Sequence, residues 1–360
     1  MSSRRHIVLP WTNVYGLART LVALGTAGTL VASSAETLFR PVATLGDYPP
    51  CTSTAAAGVF CLAPDDHTRL TWIMWGCVAV LLVVASGWRP RLTALPHAYV
   101  NYSVFSGISI IDGGDQIALV LSVLFVLPAL GDGRRWHWQQ PPDRGTGPSS
   151  GALPALIGVS GLVMVRVQMT VLYFQAAAAK LPHAEWQDGT AMWYWGSHLE
   201  FGPAPWLDTL VAPVITAPLG VALLTWVPLV IEFSLAVSLL LPQRVRWWVM
   251  GAGLSFHLSI AVMMGLWSFA LAMAGGIVVL CAPLGSSFRL RFIRRTGPDG
   301  EPSPRSAEKG REKENGRETE AEREEEAVAA APARRSVPVP ADAEPVAGDT
   351  AAARRAVAEP

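Results

Sequence analysis

The sequence predicts an all-α fold: a polytopic integral membrane helix bundle of about eight membrane segments, with an interfacial Trp-rich helix and a disordered C-terminal tail. Three observations carry that prediction. Hydrophobic residues make up 51% of the 360 positions and charged residues only 16%, well under the share of about 25% usual in soluble domains. Apolar runs long enough to cross a hydrocarbon core recur between residues 14 and 285. Much of the charge sits beyond them, so the first part of the chain is more apolar than the average suggests. The formal net charge is zero, which gives no footing for nucleic-acid binding, and GxxxxGK[ST] does not occur.

The expected organisation is a basic cytoplasmic start at 1–13, a transmembrane domain at 14–285, a basic juxtamembrane segment at 286–295 and a charged, Ala/Pro-rich tail at 296–360. Arg4, Arg5 and His6 place the start inside by the positive-inside rule. The run from Val14 to Ala35 is too long for the core of a signal peptide and reads as the first span. Arg19, near its inner end, is expected to snorkel to the interface, with a buried ion pair as the alternative.

Residues 36–69 form an outer loop in which Cys51 and Cys61 are candidates for a disulfide, favoured over a redox pair; Cys77 and Cys281 lie in apolar spans as packing residues. The second span, about 70–86, ends at Trp88-Arg89-Pro90-Arg91. The apolar region at about 98–130 is broken by Asp112-Gly113-Gly114-Asp115, read as an outer turn. Two carboxylates alone do not make a calcium or magnesium site, and no metal is assigned; Asp112 and Asp115 stay as polar substrate-binding candidates.

With that turn outside, Arg134 and Arg135, then Arg244 and Arg246, then the cluster at 289–295 all fall inside, and Lys180 falls outside. The count is eight; a seven-span alternative strands the last cluster on the wrong side. The remaining spans lie at about 152–180, 218–241, 247–265 and 266–283, with a polar, Pro-rich cytoplasmic connection at 132–150.

The stretch from Tyr173 to Glu200 organises the rest. Arg166, Tyr173 and Lys180 recur every seventh residue and fall along one helical stripe that would line a polar cavity, with Lys180 at its mouth. After Pro182 the pattern turns amphipathic, with Trp186, Gly189, Thr190 and Trp193 on one side, as a helix lying on the membrane surface would show. Glu232, deep in a later span, needs Arg166, Lys180 or His257 as its partner, or a proton. His257 reads either as a packing residue or as a catalyst.

Tyr173, Phe174, Ala176, Lys180 and Leu181, followed by Trp186, Gly189, Met192 and Tyr194, resemble the signature of the vitamin K-dependent gamma-carboxylase-like, or HTTM, superfamily. Phe256-His257 and Trp267-Ser268-Phe269 answer to two further elements of it. Ala177 stands where that signature has Gly. The opening from Pro10 to Thr20 and the Asp112-Gly113-Gly114-Asp115-Gln116 element look most like the SdpB-like, sporulation-delaying branch.

The resemblance implies a multi-pass cell-membrane protein acting on the outer side in maturation of a secreted antimicrobial or toxin peptide. It also implies a peptide precursor and a small companion maturation protein as partners, besides the lipid bilayer, and a membrane quinol as co-substrate. Lys180 would be the general base, with His257, Arg166 and Tyr173 as the other catalytic candidates. Trp186, Trp193, Tyr194 and Glu232 would join Asp112 and Asp115 in binding substrate. The gamma-carboxylases carry a second lysine where this chain has Ala179, and a histidine that Asn101-Tyr102-Ser103 does not supply. Those departures speak against carboxylation itself. A non-catalytic chaperone or export factor for such a peptide, and a transporter, are the competing readings.

Overall fold

The computed structural model describes residues 8–43, 46–140, 152–198 and 202–288. The expectations for Arg4, Arg5 and His6, for most of the Pro-rich connection, for Glu200, for the arginines at 289–295 and for the tail lie outside these residues. Twelve α-helices run through them. They are α1 (Asn13–Ala32), α2 (Ala35–Leu38), α3 (His67–Ser86), α4 (Pro90–Gly107), α5 (Gly113–Leu130), α6 (Ala152–Lys180), α7 (Ala184–Gln187), α8 (Ala191–Gly196), α9 (Pro205–Thr216), α10 (Pro218–Ala236), α11 (Gln243–Met264) and α12 (Trp267–Cys281).

Eight of these, α1, α3, α4, α5, α6, α10, α11 and α12, form the bundle. Six are long and apolar enough to cross a membrane: α1, α3, α5, α6, α10 and α11. The exceptions have physical reasons: α4 is diluted by Arg91, Pro96, His97 and Asn101, and α12 is apolar but only 15 residues long. The bundle is a polytopic membrane protein, with Trp72, Leu95, Val230, Phe233 and Trp248 exposed on its flanks where lipid would cover them.

Local chemistry sets the helix ends. Thr12 caps α1 by accepting from the Tyr15 amide, and Asp66 caps α3 by accepting from Thr68 and Arg69. Gly87 and Gly265 close α3 and α11 in the left-handed conformation. The Asp112-to-Asp115 element is a capping box rather than a loop between spans. The Asp112 carboxylate accepts from the Asp115 amide at 2.9 Å, and the Asp115 carboxylate accepts from the Asp112 amide at 3.2 Å. Gly114 is required there because a Cβ would lie 2.5 Å from the Phe269 Cα.

α1 runs through the centre of the bundle, packed on α12, α3, α5 and α4. Its crossing with α12 is close because small residues meet there: a Cβ on Gly275 would stand 2.8 Å from the Ala18 carbonyl, and one on Gly25 would stand 2.9 Å from that of Ser268. Tyr15, Leu121, Phe125, Met169 and Ile277 fill the space around it.

One end of the bundle gathers Arg89, Arg91, Arg134, Arg135, Arg244 and Arg246. The other carries the loop between α2 and α3, the start of α5 and the segment from α7 to α9. At the arginine-rich end Trp11 donates to the Pro128 carbonyl, and Arg134 forms a bidentate pair with Asp132 at 2.7 and 2.9 Å. His137 nests against Gly16 and Gly87, its Nε2 3.2 Å from the Thr20 hydroxyl. At the loop-rich end a disulfide joins Cys51 to Cys61, and Tyr99 and Tyr102 of α4 donate to carbonyls of that loop.

Three expectations need correction. The amphipathic segment after Pro182 is two short helices, α7 and α8, because Gly189 takes a positive φ of 82° between them. A further helix, α9, precedes the span at Pro218. Arg19 neither snorkels nor pairs with a carboxylate: it is fully buried, and Nη2 donates to the Thr93 hydroxyl at 2.7 Å.

Candidate functional site

The site lies at the loop-rich end, where α6, α10 and α11 converge under α7 and α8. Lys180 is the last residue of α6, where a cation is favoured by the helix dipole. Its ammonium donates to Glu232 Oε1 at 2.6 Å, to Glu232 Oε2 at 2.7 Å and to the Ala176 carbonyl at 3.1 Å. Three acceptors thus meet three N–H groups. The Trp186 ring covers the nitrogen, with its centroid 5.3 Å away. The Glu232 side chain is 7% exposed and that of Lys180 24%, so the carboxylate is sealed while the lysine keeps an open side.

That side borders a cavity of about 350 Å³. Its walls are Trp186, Met192, Trp195, Leu224, Pro228, Phe256, Met263, Met264 and Phe269, together with the Lys180–Glu232 pair. Thr225 helps hold its roof, since the Met192 amide donates to the Thr225 hydroxyl at 3.1 Å. Pro228 stands one turn before Glu232 and brings no N–H to the Leu224 carbonyl, which loosens α10 beside the carboxylate.

Beside the cavity lies a second polar pair. The Tyr173 hydroxyl is 2.9 Å from His257 Nε2, both side chains are buried, and His257 Nδ1 has no partner among the described residues. His257 also packs edge-on against Phe269, a residue of the cavity wall. Tyr173 sits two turns from Lys180 on α6, so the two pairs are neighbours on one stripe.

The other sequence candidates go elsewhere. Arg166, about 21 Å from Lys180 along α6, donates through Nε to the Val279 carbonyl at 3.0 Å and through Nη2 to that of Ala282. It satisfies the C-terminal carbonyls of α12 and is not beside the lysine. Asp112 and Asp115 are occupied in their capping box, and the Ser268 hydroxyl lies 3.4 Å from Asp112. Trp193 and Tyr194 are exposed; Tyr194 borders a shallower hollow with Glu185, Asp188 and Trp195. The reading that selected Trp186, Trp193 and Tyr194 left Met263 and Pro228 unmentioned. The signal for them was present: Met263 and Met264 end α11 just before Gly265, and Pro228 precedes Glu232 by one helical turn.

A bundle that places an ion pair on the wall of an apolar, aromatic- and Met-rich cavity is a membrane-embedded binding or catalytic protein. The HTTM domain matches residues 156–283, which span α6 to α12 and hold all of these groups. The chain is 35% identical over 286 residues to the uncharacterized protein YitO of Bacillus subtilis (strain 168), covering 79% of this chain and 90% of that one. It is 29% identical over 283 residues to the sporulation-delaying protein SdpB of the same strain, covering 79% of this chain and 85% of the relative. No solved structure matches. The chain belongs to the SdpB-like family of HTTM proteins.

Proposed function

We propose that this protein acts in the cell membrane on the maturation of a secreted antimicrobial or toxin peptide, with Lys180 as the general base. The arginine-rich end would face the cytoplasm, in line with the positive-inside rule, and the cavity would open outward. The observation that carries the proposal is the Lys180–Glu232 pair on the wall of an otherwise apolar cavity. A buried ion pair adds little stability over a well-packed apolar pair, which supports a chemical rather than a structural reason for it. The likeness to a sporulation-delaying protein supports a peptide as the molecule acted on.

For Lys180 to work as a base it must shed one proton, and Glu232 stands 2.6 Å away to take it. That transfer turns the ion pair into an amine and a carboxylic acid, both neutral and better suited to an apolar surround. The freed lone pair faces the cavity, while Met192, Met263 and Trp195 hold the apolar part of a substrate. Tyr173 and His257 are a second proton-carrying pair, placed to keep α6 and α11 in register beside the site. The cavity's size and lining suit a quinol headgroup, which Trp186, Phe256 and Phe269 would hold and which when bound would supply reducing electrons and a dissociable hydroxyl.

A non-catalytic reading, a chaperone or exporter of the same peptide with a small companion protein, draws on the exposed Trp193, Tyr194, Trp195 and Trp206 around the opening. Comparing the secreted peptides of source cells with and without this gene by intact mass tests the proposal. A peptide that persists with altered mass supports maturation chemistry. A peptide of unchanged mass retained inside the cells supports export, and an unchanged profile contradicts both readings.

A further inference from the structure

A second polar cluster lies between α1 and α4, on elements that contribute nothing to the cavity. Arg19 is fully buried, and beyond its bond to Thr93 its Nε and Nη1 have no partner among the described residues. One turn on from Thr93, His97 is fully buried with neither ring nitrogen partnered. A turn further, Asn101 is 1% exposed; its Oδ1 accepts from the Thr26 hydroxyl at 2.6 Å and its Nδ2 has no partner.

The unsatisfied groups are chiefly donors. A guanidinium always carries its proton, the amide nitrogen only donates, and a neutral imidazole supplies one N–H. Charge points the same way. The carboxylate whose field reaches Arg19 is that of Asp132, and both of its oxygens are taken by Arg134. Two guanidiniums therefore share one carboxylate, and one positive charge is left over inside the bundle. An uncompensated buried charge costs several kcal/mol. Val22, Ala23, Ala94 and Val100 on the same helical turns are buried too, which restricts any occupant to a compact ion.

We propose that Arg19, His97 and Asn101 form a binding site for a small monovalent inorganic anion of halide size. The anion accepts from Arg19 Nε and Nη1, from Asn101 Nδ2 and from one His97 nitrogen, and it neutralises the surplus charge.

The test uses the purified full-length chain in detergent, with sodium bromide exchanged for sodium gluconate at constant ionic strength. The thermal midpoint of the wild type should rise saturably with bromide, and Arg19→Met should abolish the response. Asn101→Leu, which keeps Arg19, should raise the half-saturating bromide concentration at least ten-fold and decides the matter if Arg19→Met does not fold. Crystals of the wild type grown in bromide should show an anomalous peak within about 4 Å of the Arg19 guanidinium. No bromide response in the wild type, an equal response in Arg19→Met, or non-anomalous density at that position, as water alone would give, overturns the proposal.

Discussion

Replacing Lys180 by Met and Glu232 by Gln, singly and together, separates what the pair does for folding from what it does for chemistry. Lys180→Met strands a carboxylate that is 7% exposed. Breaking a fully buried pair costs about 3–5 kcal/mol, and the partial exposure of Lys180 argues for the low end, about 3 kcal/mol. Glu232→Gln leaves the ammonium with an amide oxygen, the Ala176 carbonyl and the Trp186 ring, so its cost should be smaller, about 1.5 kcal/mol. In the double variant no charge is left unpaired, and about 1.5 kcal/mol should remain. The coupling energy is then about 3 kcal/mol, roughly a 100-fold effect on the unfolding equilibrium. Unfolding in mixed micelles measures the stabilities, and the mass profile of secreted peptides measures function. The double variant should be nearly as stable as Glu232→Gln yet inactive. Additive stabilities would refute the coupling, and a fully active double variant would refute the chemical role of the pair.

Other predictions follow from the packing. Gly114→Ala, which forces a Cβ to 2.5 Å from the Phe269 backbone, should destabilise by about 2 kcal/mol or more; Gly113→Ala, with its nearest contact at 3.5 Å, should be tolerated, and thermal unfolding of the two compares them. Tyr173→Phe removes a buried hydrogen bond to His257 and should cost about 1–2 kcal/mol, with a loss of peptide processing beyond the loss of folded protein if the pair moves protons.

His137, outside the spans, has its pKa lowered to about 2 by burial and by the Arg19 and Arg134 charges. Above pH 6.5 it is neutral folded and unfolded and contributes nothing to the pH dependence. As pH falls below 6.5 only the unfolded chain takes up the proton, so stability falls by about 1.4 kcal/mol per unit. His137→Leu should flatten the stability profile between pH 6.5 and 5 relative to wild type.

The membrane bundle was legible because hydropathy is a property of runs, which the sequence displays directly. Eight segments also followed from arginine placement, since Arg134, Arg135, Arg244 and Arg246 gather at one end of the bundle. The partner of Glu232 could be narrowed to three cations, and only the three-dimensional arrangement of α6 and α10 selects Lys180. Arg166 misled because its acceptors are backbone carbonyls of α12, which no side-chain pattern announces. The heptad spacing with Tyr173 and Lys180 is real, but a 29-residue helix carries its stripe past several neighbours. Asp112 and Asp115 looked like ligands because a capping box and a carboxylate loop share residue types; the three-residue spacing was the clue to the box. Arg19 was assigned to the interface by depth alone, and burial depends on neighbours, here Thr93 of a helix 74 residues away.

The central claim is that Lys180 performs chemistry on a secreted peptide, and Lys180→Arg tests it most directly. Arginine keeps the positive charge beside Glu232 and cannot act as a neutral base. At equal membrane abundance, the account predicts that cells with wild-type protein secrete a peptide of mature mass and that Lys180→Arg cells do not. The same mature mass and activity from both would contradict it.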